Sequence, residues 1–362
     1  MLLPIVGQGT GSKGSNLQTY TDKLNDLIYS IKFGIENGLT LIDTAEIYGD
    51  GRSELLVGSA IKGRREFVKL ATKFSPNNHR YKSVISAAYG SLKRLGTDYI
   101  DIYQIHWPNS SVPLDETMSA IFDLQDQGLV GEIGVCNFNR KQLEDAISIS
   151  NKEGKRIYSV QIKFNLIDQF AYKAINDICA INSIKIIAYS PFKSLLSKEN
   201  HRTKILKEIA NQNSVSPMQI ALRWITSHPH TTPIPESSNL DHLKEISEIG
   251  KVEISELDMI KLSDAFSNLT SHLQVNLIKS RNDNRRKIKN LEQSEIEKFS
   301  LDFCPSIIDL ATEISSGDFL QPILVAKSSE DSNVYDIVEG ELRYWAFVYV
   351  NGPASKIPVI IN

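Results

Sequence analysis

The feature that most restricts the fold is an alternation of short apolar runs with amphipathic stretches, sustained over about 270 residues. LPIVGQGT, TLIDTA, FVKLATK, YIDIYQIH, GEIGVCN, YSVQI, IKIIAYS and TTPIPES read as strands. Between the first two, Asp22 to Gly38 carries Leu24, Leu27, Ile28, Ile31 and Ile35 at helical spacing and stops at a glycine. SELLVGSAI, Tyr81–Leu95, Asn200–Asn211, Pro217–Ser227, Leu240–Ile249 and Glu256–Phe266 read as further helices. About eight strand–helix units in this length have the rhythm of a parallel (β/α)8 TIM barrel. A doubly wound open sheet shares the alternation, but it wants GxGxxG leading straight into the first helix. VGQGTGSKGS does not place its glycines there. The barrel is the expectation for residues 1–270.

Bulk properties narrow the function classes. Hydrophobic residues make up 41% and charged residues 23%, ordinary values for a soluble globular protein. A net charge of −3 calls for neither nucleic acid nor a membrane surface as partner. No apolar run approaches the ~20 residues of a membrane helix. MLLPIVGQGT lacks the basic region and long apolar stretch of a secretory signal. Cys136, Cys179 and Cys304 are odd in number and widely spaced, which fits a reducing compartment and argues against a disulfide framework or zinc site. The expectation is a soluble, cytoplasmic protein without a structural metal.

In such a barrel the C-terminal ends of the strands face one mouth. Those ends read Asp43 in LIDTA, Lys73 in LATKF and His106 in YQIHWP, with Tyr48 on the loop after Asp43. Each has a bland explanation. An acid after an apolar run is usually a turn or cap residue, a strand-end lysine is usually solvated, and a histidine is often a satisfied core residue. Their arrival together at successive strand ends points to chemistry. A phenol with a pKa near ~10 gives up its proton reluctantly at neutral pH. An adjacent ammonium, here Lys73, stabilises the phenolate and lowers that value, while Asp43 holds the lysine charged and in place. His106 can donate a hydrogen bond to a carbonyl oxygen. This is a proton-delivery site for turning a carbonyl into an alcohol. The carbon needs a hydride that no side chain supplies, so a nicotinamide or similar cofactor is implied.

The motifs VGQGT, IDTAEIYGDGRSELLVG, LATKF, SLKRLGTDYIDIYQIHWP, GEIGVCNF, VQIKFNLID, IAYSPF, SPMQIALRW and IPESSNLDHLKE together resemble the aldo-keto reductases, over about three quarters of the chain. The resemblance implies reduction of an aldehyde or ketone, a sugar among the options, with NADP or NAD. It assigns Asp43, Tyr48, Lys73 and His106 as the catalytic tetrad, with Tyr48 as general acid. It also implies that Asn137 and Gln161 hold the nicotinamide carboxamide and that Tyr189 stacks on its ring. Ser190 and Phe192 would line the pyrophosphate path, and Ser237, Asn239 and Glu245 the adenosine end. Trp107 would shape the substrate pocket.

Three departures from the family pattern bear on function. Cys136 stands where many members have serine, beside the carboxamide; no basic neighbour is evident that would make it a reactive thiol. Glu236 and His242 occupy positions where NADP-preferring members commonly carry lysine and arginine. A carboxylate repels a 2′-phosphate and can accept from a free ribose hydroxyl, so weaker NADP discrimination, or NAD use, is expected. The loop SPFKSLLSKENHRTK is short beside many relatives, which implies a reduced cofactor lid.

After Phe266 the character changes. KSRNDNRRKIK reads as a basic linker or arm within residues 271–290, followed by a small α+β module over 291–362. Its segment QPILVA through KIPVIIN resembles the ParB/sulfiredoxin-like fold, in which a strand passes through a glycine turn into a helix. That resemblance implies a phosphate or nucleotide site at Gly340, Glu341 and Arg343. The sulfiredoxin cysteine is missing from Glu341 and Leu342. With no aromatic–basic interleaving, DNA is the least supported partner of this module, and a docking role is the alternative to nucleotide binding. For the whole chain, the rival to an enzyme is a cofactor-binding redox sensor or docking protein with little turnover; the intact tetrad favours the enzyme.

Overall fold

Eight strands, parallel at every pairing, form one sheet in sequential order. The structure, a computed structural model, describes residues 1–12, 22–193, 195–196, 199–267, 270–279, 307–315, 322–329, 331, 333–352 and 354–361. In chain order the first unit runs β1 (Gln8–Gly9), α1 (Asp22–Glu36), β2 (Leu41–Asp43), α2 (Arg52–Ile61), β3 (Lys69–Phe74), α3 (Tyr81–Leu95), β4 (Ile100–Ile105), α4 (Leu114–Asp126) and β5 (Val130–Cys136). It continues with α5 (Arg140–Lys152), β6 (Ile157–Lys163), α6 (Phe170–Ile181), β7 (Lys185–Tyr189), α7 (His201–Gln212), α8 (Pro217–Thr226), β8 (Thr231–Pro233), α9 (Leu240–Ser247) and α10 (Glu256–Phe266).

The first strand meets the last. Gly7 N donates to Pro233 O and Gly9 N to Pro235 O, both at 2.9 Å, so the sheet closes into a barrel. That closure excludes the doubly wound alternative. The two closing strands are shorter than LPIVGQGT and TTPIPES suggest, because Pro4, Pro233 and Pro235 have no amide to give to a ladder. The seam therefore uses glycine amides and the Thr232 hydroxyl, which donates to Pro4 O at 3.0 Å. Gly7 is required there, since a Cβ would come within 2.8 Å of Leu41 O.

The strands are buried along nearly their whole length, as an apolar run flanked by helices on one side and barrel interior on the other must be. Some helix starts carry side-chain caps. Asn139, Asn200 and Ser216 form reciprocal capping boxes at α5, α7 and α8, and Pro217 opens α8 where its missing amide costs nothing. No described helix is long and apolar enough to cross a membrane.

The chain divides into two compact units, Met1–Ala265 and Phe266–Asn362. The second contains β9 (Thr270–Gln274), β10 (Ile278–Lys279), α11 (Ile307–Ser315), β11 (Ile323–Lys327), β12 (Tyr335–Glu339), α12 (Glu341–Asn351) and β13 (Lys356–Ile361). Its mixed sheet has the order β10-β12-β11-β13-β9. Ile323, Val325, Ile337, Tyr344, Trp345, Ile357 and Val359 form its core. The stretch that reads as linker thus begins as structure: Thr270–Gln274 pairs with β13, and Ile278–Lys279 with β12. Its polar composition hides two strands because β9 and β10 are the two edges of the sheet. Residues 280–289 of the basic arm, and Cys304, lie outside the described residues.

Candidate active site

Asp43 ends β2, Lys73 lies one residue from the end of β3, and His106 directly follows β4. Parallel pairing steps the three by two residues from strand to strand, with Asp43 opposite Ala71 and Lys73 opposite Gln104. Lys73 Nζ donates to Asp43 Oδ2 at 2.7 Å, to Thr44 O at 2.8 Å and to the Tyr48 hydroxyl at 3.3 Å. The three acceptors account for all three ammonium protons of a fully buried lysine. The Tyr48 and His106 rings meet edge to face with centroids 5.6 Å apart. The four residues read from the strand ends are therefore one cluster.

Their charge states follow from burial and mutual attraction. Burial pulls the Lys73 ammonium down, but Asp43 and then Tyr48 outweigh it, holding lysine above its ordinary value and charged. Tyr48 corrects an expectation. Desolvation raises its phenol more than Lys73 lowers it, and Asp43 adds to the rise, so Tyr48 stands above the usual tyrosine value. The phenol therefore stays protonated at neutral pH. Burial, aided by Lys73, pushes His106 well below the ordinary imidazole range, so the ring is neutral, and among the described residues its buried Nδ1 has no partner.

The residues assigned to the cofactor come from the C-terminal parts of β6 and β7 and from the segments that follow β5, β7 and β8. Asn137, in a left-handed conformation with φ 60°, directly follows β5; its Nδ2 donates to His106 O at 3.1 Å and its Oδ1 accepts from the Tyr189 hydroxyl at 2.8 Å. Gln161 Nε2 donates to Asp43 Oδ1 at 2.7 Å, so this amide braces the tetrad as well as facing the mouth. Ser190 turns the chain after β7 at φ 54°, its carbonyl held by Asn165 Nδ2 at 3.0 Å. Phe192 packs against the apolar cluster of Val6, Leu39, Leu222 and Leu243. Ser237 and Asn239 form the entry to α9, where Asn239 caps His242 N at 3.1 Å and leaves an exposed helix N-terminus suited to an anion. Glu245 Oε2 accepts from Ser216 Oγ at 2.9 Å, which ties α9 to the start of α8. Trp107 is half-buried beside His106.

Glu236 is fixed rather than free. Its two oxygens accept from Ser12 N at 3.1 and 3.0 Å, and Oε1 accepts from Ser12 Oγ at 2.7 Å. A Cβ on Gly11 would lie 3.7 Å from Tyr48 Cζ and 3.8 Å from Glu236 Oε2, so this carboxylate stands at the same mouth as the phenol. Cys136 is fully buried, its Sγ donates to Gln104 Oε1 at 3.6 Å, and burial pushes its thiol far up, which leaves it unreactive.

Sequence reading missed Gln104, whose Nε2 approaches Asp43 Oδ1 at 3.5 Å from within the barrel. The two-residue strand period, which places Gln104 on the face toward which β4 ends, was the available signal. In the second unit Gly340 opens α12 with φ 98°, as the turn requires. The Arg343 guanidinium lies against this turn: its NH1 donates to Pro322 O at 3.0 Å, and a Cβ on Gly340 would come 3.1 Å from its NH2.

Comparison with known proteins agrees with this geometry. The family model described as "Aldo/keto reductase family" matches residues 6–266. The methylglyoxal reductase YeaE of Escherichia coli K12 is 32% identical over 266 residues, covering 73% of this chain and 91% of that protein. A glyoxal reductase of Bacillus subtilis is 32% identical over 241 residues, 66% of this chain and 83% of that one. Among solved structures, the thermostable aldo-keto reductase Tm1743, in complex with epalrestat, superposes with a TM-score of 0.69 at 35% identity, covering 73% of this chain and 95% of its own. An aldo/keto reductase of Klebsiella pneumoniae with NADP and acetate does so with 0.66 at 26% identity, covering 73% and 92%. The eight-stranded barrel, the cluster at its mouth and these matches have one reading: the chain belongs to the aldo/keto reductase family of oxidoreductases.

Proposed function

We propose that this protein reduces a small aldehyde or ketone to the alcohol with NADPH or NADH, and that the substrate is a compact 2-oxoaldehyde or related dicarbonyl. The contact that carries the reading is Lys73 Nζ at 3.3 Å from the Tyr48 hydroxyl and 2.7 Å from Asp43. Neutral His106 donates a hydrogen bond to the carbonyl oxygen and sets its angle. Tyr48 passes its proton to that oxygen, and the phenolate left behind sits beside the Lys73 ammonium, which Asp43 keeps in place. Asn137 and Gln161 would hold the carboxamide, Tyr189 the ring face, Ser190 and Phe192 the pyrophosphate path, and Ser237, Asn239 and Glu245 the adenosine end. Bound there, a reduced nicotinamide supplies the hydride that no side chain can. The dicarbonyl preference rests on the relatives named as methylglyoxal and glyoxal reductases.

Glu236 is the basis for reading the cofactor preference as weakly NADP-selective, because its fixed carboxylate would face a 2′-phosphate with like charge. Nicotinamide absorbance followed over a panel of aldehydes, ketones and sugars tests the activity, with both cofactors in parallel. Turnover of 2-oxoaldehydes with comparable efficiency on NADH and NADPH is the expected outcome. A protein that binds cofactor and reduces nothing on the panel contradicts the enzyme reading, and a strong NADPH preference contradicts the role of Glu236.

For the second unit, the same reading keeps Gly340, Glu341 and Arg343 as a phosphate or nucleotide cradle, supported by the left-handed glycine at a helix start. Thermal shifts with ATP, ADP and CTP, lost in Arg343→Ala, are expected; no shift with any nucleotide favours docking instead.

A further inference from the structure

The loop from Thr44 to Gly51, which carries Tyr48, is held by charged side chains outside the tetrad. Glu54, in the first turn of α2, is fully buried, and its carboxylate accepts from Arg94 Nε at 2.6 Å and from Thr72 Oγ1 at 2.7 Å. Thr72 directly precedes Lys73. Glu46, two residues before Tyr48, accepts from Ser75 N and from Asn78 Nδ2 at 2.8 Å, and its other oxygen lies 3.9 Å from Arg94 NH2. Arg94 also packs over the end of the loop: Gly51 has φ 81°, and a Cβ there would meet Arg94 Cδ at 2.6 Å.

We propose that Arg94, in the last turn of α3, is a positioning residue for the proton donor, neutralising Glu46 and Glu54 together and so fixing the loop that presents Tyr48. Without the guanidinium, two carboxylates on either side of Tyr48 repel each other, and the fully buried one keeps no counter-charge. Glu46 then releases the loop from Ser75 and Asn78. The phenol loses its register on Lys73, and a displacement of about 1 Å is enough to cost on the order of a hundredfold in rate.

This inference rests on the proposed role of Tyr48, and its test separates the two. Arg94→Met, Arg94→Lys, Glu46→Ala and the double variant Arg94→Met with Glu54→Gln, which removes the buried unpaired charge, are compared in the full chain. Readouts are kcat, KM for an aldehyde, cofactor Kd by tryptophan fluorescence, and hydrogen exchange of peptides spanning residues 44–51. In Arg94→Met, kcat falls by roughly ten- to a hundredfold while KM and cofactor Kd move by less than about threefold, and exchange of residues 44–51 accelerates. Arg94→Lys and the double variant recover most of kcat and of the protection. If Arg94→Met fails to fold, Glu46→Ala carries the same expectations. A folded variant with wild-type kcat, a loss that neither Arg94→Lys nor the double variant restores, or unchanged exchange of the loop overturns the proposal. If the wild type reduces no aldehyde, the functional reading falls, and loop exchange alone decides whether Arg94 fixes the loop.

Discussion

In the proposed role of proton donor, Tyr48 would have to keep its proton at neutral pH and release it only as an oxygen becomes an alkoxide. Its surroundings favour retention, because burial raises the phenol and Lys73 only partly offsets the rise. In that proposed role, Lys73 would serve chiefly the product of proton transfer, stabilising a phenolate from 3.3 Å away. The sign of the pH dependence follows. Reduction needs Tyr48 protonated, and a raised value keeps it so beyond the ordinary phenol range. His106 is held well below the usual imidazole value, so it stays neutral into mildly acidic solution. We expect kcat for reduction to be flat between about pH 6 and pH 9 and to fall only at higher pH, while alcohol oxidation rises toward alkaline pH. Steady-state rates in both directions across that range check this. A reduction rate that declines between pH 7 and pH 8 contradicts it.

At the scale of elements, the site depends on consecutive strand ends set in register by pairing and on loops pinned by caps and ion pairs. Asp43, Lys73 and His106 come from three consecutive strands, which is why their positions could be read from where apolar runs stop. The pins were not readable. Arg94 meets Glu54 across 40 residues with no periodic signature, and the distance between them in space exists only once α2 packs on α3. Glu245 reads as an adenosine-end residue, yet it also accepts from Ser216, which caps α8. Ser216→Ala removes both bonds and is expected to cost about 1 kcal/mol of stability, measured by urea unfolding. No change in the unfolding midpoint would mean that the capping box contributes nothing.

For the molecule as a whole, the alternation of strands and helices announced a barrel, but its closure was not written in strand-like sequence. The seam runs through proline carbonyls and glycine amides, Gly7 to Pro233 and Gly9 to Pro235, where hydrophobic pattern carries no signal. The second unit hid its edge strands for a related reason: Thr270–Gln274 and Ile278–Lys279 are short and adjoin a basic run. The seam makes its own prediction. Gly7→Ala places a Cβ 2.8 Å from Leu41 O and 2.9 Å from Leu41 Cβ, and overpacking of this kind costs about 1–3 kcal/mol. A thermal midpoint equal to wild type contradicts the tight seam.

The central claim is that Tyr48 delivers the proton at the mouth of this barrel. Replacing Tyr48 by phenylalanine removes one oxygen and leaves the ring that meets His106. Measured side by side with wild type on a 2-oxoaldehyde, Tyr48→Phe is expected to lose about a hundred- to ten-thousandfold in kcat, with cofactor Kd within about threefold of wild type. A Tyr48→Phe protein that binds cofactor normally and keeps more than about a tenth of the wild-type kcat contradicts the claim.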